Sequence, residues 1–99
     1  MTNIRLPLLL AFAVLPSLAA CGPSEAEVRA AIEAANHCEQ SSDCVAVHSK
    51  CPFDCYVPAH RQEAAELGSF IQSHQSTCTY SCIPQPPVAC IQGKCVFER

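Results

Sequence analysis

Nine of the 99 residues are cysteine, and eight of them, Cys38, Cys44, Cys51, Cys55, Cys78, Cys82, Cys90 and Cys95, are spaced through the C-terminal two-thirds of the chain. An even set at this density is what a disulfide framework requires, and it places the folded protein in an oxidising compartment. A chain this short stands where a hydrophobic core alone is barely sufficient, so cross-links must make up the difference. Each bridge typically contributes about 2–4 kcal/mol, chiefly by restricting the unfolded ensemble. The reduced chain is therefore expected to be unfolded or nearly so. Which cysteine meets which stays open, since eight allow roughly 105 pairings.

The ninth cysteine, Cys21, closes the run Leu18-Ala19-Ala20-Cys21 at the end of an apolar stretch that follows Arg5. A positive amino-terminal region, an apolar segment over about residues 6–18 and small residues before the cysteine are the parts of a secretory signal. The stretch is shorter than the roughly 20 apolar residues that a spanning helix needs. Small-small-Cys after such a segment resembles the lipobox of bacterial lipoproteins. That resemblance implies cleavage after residue 20, a diacylglycerol thioether on Cys21 and acylation of its freed amine, palmitate being a typical chain. One acyl chain anchors marginally and two or more anchor stably. Residues 1–20 are thus expected to be signal peptide, 21–24 a lipidated anchor with a very short spacer, and 25–99 the folded domain. Gly22 is not Asp; by resemblance to enterobacterial lipoproteins, whose sorting reads this position, the outer membrane is favoured over the inner. The face of the membrane is not specified.

Removing the first 20 residues leaves 79, with five Lys and Arg against nine Asp and Glu and a net charge of −4. No basic run or basic helix face is present, which argues against a nucleic-acid partner. Ser24 followed by Glu27 has the form of a capping box, and Val28, Ala31, Ile32 and Ala35 make one apolar stripe at helical spacing. These predict a helix from Glu25 to Asn36. Cys44 to His48 has strand composition. A second helix is predicted over Ala59 to His74, with Pro58 in its first turn, an apolar face of Ala64, Leu67 and Ile71, and Gly68 as a weak point. Two short runs, Val88 to Ile91 and Cys95 to Glu98, flank Gln92-Gly93-Lys94 and predict a β-hairpin. The prolines before it are expected to enter along a sheet edge. The fold class is a small disulfide-rich α+β domain, two helices with a short antiparallel sheet including the C-terminal hairpin.

Two C-x3-C units, Cys51–Cys55 and Cys78–Cys82, suggest nested bridges of the kind found in α-hairpin peptides. A continuous helix of about 24 Å between them opposes a Cys55–Cys78 bridge, because bonded cysteines hold their Cα atoms within about 7 Å; Cys51 with Cys82 is easier. A Cys38–Cys44 bridge is a further option.

Catalytic patterns are thin. A thiol-redox enzyme of the thioredoxin type uses C-x-x-C at a helix N-terminus, and the chain has none. Of the histidines His37, His48, His60 and His74, the last two share the expected second helix but lie too far apart along it to hold one metal, and oxidised cysteines are not thiolate ligands. Glu63 with Glu66 reads as a solvated helix face. Ser69, His60 and Asp54 supply the residue types of a triad without the elbow that presents a nucleophile. No catalysis, no cofactor and no metal site are expected.

The arrangement Ser42-Asp43-Cys44-Val45, Cys51-Pro52-Phe53-Asp54-Cys55-Tyr56, Cys78-Thr79-Tyr80-Ser81-Cys82 and Gly93-Lys94-Cys95-Val96 resembles a group of small cysteine-rich secreted or lipid-anchored bacterial proteins without an assigned activity. The resemblance spans residues 38–96 and implies a scaffold, with no reaction attached. The terminal Gly-Lys-Cys-Val also resembles cysteine-rich protease inhibitors, which present a rigid extended loop between bridges. Ile83, Pro84, Gln85, Pro86, Pro87 and Val88, between Cys82 and Cys90, answer that description. Proline-stiffened loops lose less entropy on docking, so this loop and the Pro52–Phe53 turn are the expected contact points for a protein partner in the cell envelope. The expected role is a lipid-anchored binding or structural module, with protease inhibition as the alternative.

Overall fold

Among the described residues two α-helices and four strands follow one another, and bridges at two ends lock them together. The computed structural model describes residues 22–98; the expected signal segment, residues 1–20, and Cys21 lie outside them. The order is α1 (Glu25–Ala35), β1 (Cys44–His48), β2 (Tyr56–His60), α2 (Ala64–Gln72), β3 (Val88–Ile91) and β4 (Lys94–Phe97). β1 and β2 form one antiparallel ribbon, with Val47 opposite Val57. β3 and β4 form a second, with Cys90 opposite Cys95. The domain is thus a small disulfide-rich α+β fold with the expected C-terminal hairpin, its strands divided between two ribbons.

α1 starts where the expected capping box sits. Ser24 Oγ accepts from the Glu27 amide at 3.1 Å, and Glu27 accepts from the Ser24 amide at 2.8 Å. Both bonds satisfy amides that have no partner inside the helix. The helix ends one residue before the expected Asn36, whose side chain is recruited elsewhere. Its Nδ2 donates to the Cys95 carbonyl at 3.0 Å and its Oδ1 accepts from the Cys95 amide at 2.6 Å. One side chain thereby pairs with β4 as a strand residue would.

The second helix is shorter than predicted. Residues 56–60 form β2, with Val57 and Ala59 turned inward. Pro58 fits because each strand of a two-stranded ribbon has an outward edge where a missing amide leaves nothing unpaired. His60 then caps the following turn, its Nδ1 accepting from the Gln62 amide at 3.1 Å, and α2 begins at Ala64. The hairpin turn is of the expected kind: Gln92 at φ 51° and Gly93 at φ 81° have the two positive angles that a two-residue connection of type I′ requires.

The main core gathers Val28 and Ala35 of α1, Val47 of β1, Val57 and Ala59 of β2, Leu67 and Ile71 of α2, and Phe53. A second, sulfur-rich core consists of buried Cys38, Cys44 and Cys95, with Val88 and Cys90 against it. The hairpin is held by this second core.

The helices run antiparallel, which gives the domain two ends. Beyond the start of α1, the Pro23 carbonyl accepts from His74 Nδ1 at 2.9 Å, just past the end of α2. Beyond the end of α1, His37 pairs with Glu63, just before α2. The bridges sort in the same way. Cys51–Cys78 and Cys55–Cys82 lie at the Pro23 end, where β1 finishes and β2 begins; Cys38–Cys90 and Cys44–Cys95 lie at the Asn36 end. The C-x3-C units therefore pair in parallel order, first with first, and neither the nested arrangement nor a Cys38–Cys44 bridge forms. Because the intervening segment is strand, turn and short helix, it doubles back. The Cα atoms of Cys51 and Cys78 stand 5.6 Å apart.

Candidate functional site

The expected binding loop is a strap along the outside of the domain. It leaves the Pro23 end at Cys82, bonded to Cys55, and reaches the Asn36 end at Cys90, bonded to Cys38. Residues 83–87 form neither helix nor strand, and Val88 opens β3. Ile83, Pro84, Gln85 and Pro87 are exposed, while Pro86 and Val88 are half-buried. Two backbone contacts hold the ends: Tyr56 Oη donates to the Ile83 carbonyl at 3.3 Å, and the Glu98 amide donates to the Pro87 carbonyl at 2.9 Å. Three prolines in five residues fix φ and limit the alternatives open to the free strap. Ile83 is 75% exposed, the most exposed large hydrophobic side chain among the described residues.

The Pro52–Phe53 turn does not serve as an exposed contact. Phe53 is 2% exposed and is the largest fully buried side chain. It meets His74 edge-on at 5.0 Å between ring centres, and the Arg29 guanidinium lies 5.2 Å over its ring. The turn folds an aromatic under the domain, with the Phe53 amide bonded to the Lys50 carbonyl at 2.7 Å.

The four histidines go to three places. His48 stands at the end of β1 beside Tyr56, and His74 is spent on Pro23 and Phe53. His60 is on β2, not on a helix with His74, and its ring stacks on that of His37 at 4.8 Å. The stack, with Glu63 on His37, borders a hollow lined by Cys38, Glu39, Asp43 and Gln62. Asp43 Oδ2 accepts from the amides of Glu39 at 2.9 Å and Gln40 at 3.2 Å. These two bonds, the Glu39 one foremost, favour the carboxylate and hold its pKa below the ordinary aspartate value, and nearby His60 adds to the effect. No spacing in the sequence marks this cluster, because His37 and His60 come together only through helix packing and the strand β2, which takes the place of the expected start of the second helix.

Other residues singled out from sequence remain apart. Asp54 lies before the start of β2 and His60 at its far end, with a strand about 13 Å long between them, and Ser69 lies on α2. Glu63 precedes α2 and pairs with His37, whereas Glu66 is exposed on the helix. The sulfurs of Cys38, Cys44 and Cys95 lie within 4.8 Å of one another, but all three are in bridges and present no thiolate to a metal. None of the described helices is long and apolar enough to cross a membrane.

No protein-family model, no curated protein and no solved structure matches the chain.

Proposed function

We propose that the protein is a lipid-anchored module of the bacterial cell envelope that binds a protein partner through the strap and catalyses no reaction. The observation that carries the anchoring is one of pairing. The four bridges consume Cys38, Cys44, Cys51, Cys55, Cys78, Cys82, Cys90 and Cys95 among themselves, so the ninth cysteine has none of its own chain to join. Cys21 is also the cysteine that stands behind an apolar segment and two alanines. With Gly22 after it, the outer membrane is the favoured location. The Cys21→Ser variant should lose its acyl mass and leave the membrane fraction; a variant that still carried acyl chains would refute the assignment.

Partner binding rests on the strap's exposure and its fixation at both ends. A photo-crosslinking residue at Gln85 in living cells should give a discrete adduct that the same residue at exposed Glu66 does not, and replacing Pro84, Pro86 and Pro87 by alanine should weaken it. Identical adducts from the two positions would remove the strap from consideration. Protease inhibition is a second reading, favoured by the same geometry, since an extended segment between two bridges is what a protease cleft accepts. Inhibition of any member of a protease panel, abolished by the proline replacements, would select it over a non-inhibitory contact.

A further inference from the structure

Gly22, one residue after the proposed lipidated cysteine, is built into the domain. Its φ is +74°, and an added Cβ would overlap the Ser73 carbonyl oxygen at the end of α2. Pro23 is tied to His74 in the next step of the chain. Around this seat, Lys50 Nζ donates to the Gln72 carbonyl at 2.9 Å and the His74 carbonyl at 2.8 Å, closing the helix C-terminus. Lys50 also lines a hollow with Cys51, Ser76, Cys78, Tyr80 and Cys82. Tyr80 is 45% exposed, and Ile83, just past Cys82, is 75% exposed. The two large exposed side chains of the Tyr80–Ile83 segment therefore stand at the same end as Gly22.

We infer that this end lies flat on the lipid, with Tyr80 and Ile83 in the bilayer interface and the hairpin end held away from it. The inference rests on the lipid anchor proposed above. A chain held by its acyl groups through one seated residue has a very high local concentration of bilayer next to that end, so even a weak apolar contact is populated. Tyrosine suits the position because its ring is apolar and its hydroxyl stays wet, as in the aromatic belts of membrane proteins. Charge does not supply the attraction. Glu25, Glu27 and Asp54 outnumber Arg29 and Lys50 at this end, Glu25 is paired with Arg29 at 3.0 Å, and Lys50 is occupied by the helix carbonyls. The strap then climbs from the lipid surface at Ile83 to the hairpin, and Pro84, Gln85 and Pro87 stay open to a partner.

The chain contains no tryptophan, so single tryptophans report position directly. Full-length lipidated protein carrying Ile83→Trp, Tyr80→Trp or, as the distant site on the hairpin, Ile91→Trp would be placed in phosphatidylethanolamine–phosphatidylglycerol vesicles with and without brominated acyl chains. Bromine should quench positions 83 and 80 severalfold more than position 91. Adding Gly22→Ala should bring the three toward equal quenching while the protein still sediments with the vesicles. Equal quenching at 83 and 91 in protein that sediments and carries acyl mass would overturn the orientation and leave the anchor standing. Emission at 83 that is shielded from water but untouched by bromine would assign the face to a protein contact and overturn it too. Protein with no acyl mass that stays in solution would remove the anchor, and the orientation with it. Selective quenching unchanged by Gly22→Ala would overturn the role of the seat.

Discussion

Asn36 joins α1 to the hairpin by two bonds from one amide to the Cys95 backbone, at 2.6 and 3.0 Å. Both Cys95 backbone groups are partly sheltered there, so removing their partner leaves them unsatisfied. Asn36→Ala should cost about 1–3 kcal/mol, seen as a lower denaturant midpoint with an unchanged slope. Asn36→Asp keeps the acceptor for the Cys95 amide but loses the donor to its carbonyl, so it should fall short of wild type as well. An unchanged midpoint in both would show that water replaces the amide at no cost. Asp43 acts on the preceding loop in a different way. Its carboxylate is held in the ionised form by the Glu39 and Gln40 amides, so its folded pKa lies below the ordinary 3.8. The sign follows from linkage: a depressed carboxylate adds stability above its unfolded pKa and loses it as pH falls through the folded value. Titration of the Asp43 side-chain carbon by NMR should give a midpoint below that of an unstructured aspartate. In Asp43→Asn the acid limb of the stability curve should be correspondingly flatter. A midpoint at or above the ordinary value would contradict the bonded loop.

At the scale of elements, the two pairs of bridges have unequal surroundings although their loops are not very different. Separations of 51 and 52 residues at the hairpin end and 27 at the other correspond to about 4 and about 3.5 kcal/mol in the chain-entropy model. What separates them is burial. Cys44 and Cys95 are 7% and 1% exposed and form the core under the hairpin, whereas Cys82 is exposed. A lone two-stranded hairpin is marginal in water. Cys44→Ala with Cys95→Ala should therefore release β3 and β4, with fast amide exchange across both strands. Cys55→Ala with Cys82→Ala should free the strap and leave α1, α2 and the hairpin protected; the opposite pattern would place the hairpin's support elsewhere. The same contrast between local and distant interactions explains what the sequence disclosed. α1 was legible because its cap and apolar stripe lie within twelve residues, and the hairpin because Gln92-Gly93 needs no outside help. β2 was not, since Pro58 suits a helix start as well as an outward strand edge, and pairing with β1 decides between them. Phe53 stood among the turn residues Pro52 and Asp54, which hid it from any periodic reading. Ile91, an apolar residue of the predicted hairpin, is 55% exposed, for the hairpin offers only one covered face. The strap was legible as a proline run between cysteines, but its course from one end of the domain to the other depends on bridge pairing that no spacing rule determines.

For the molecule as a whole, the balance between core and cross-links sets where it can fold. Eight buried residues make up the apolar core, two of them alanine, and below about 70–80 residues such a core rarely supplies more than about 3–5 kcal/mol. Four bridges at about 2–4 kcal/mol each, even without full additivity, exceed that surplus. Reduction should therefore unfold the whole domain and not merely loosen it. In the native protein Arg61 should be a poor trypsin site, because its guanidinium, in the turn between β2 and α2, donates twice to the Ser42 carbonyl, at 2.9 and 3.1 Å. After reduction and alkylation, circular dichroism should lose both helices and cleavage after Arg61 should become rapid. Alkylation of the mature, oxidised protein without reductant should label none of the eight domain cysteines, and with reductant all eight. If the reduced protein kept a cooperative thermal transition and resisted trypsin, helix packing alone would suffice and the cysteines would need another explanation. If it behaves as expected, the chain can finish folding only after it reaches an oxidising compartment. Arg61 should then be cut in cells that retain the protein in the cytoplasm and spared in cells that export it.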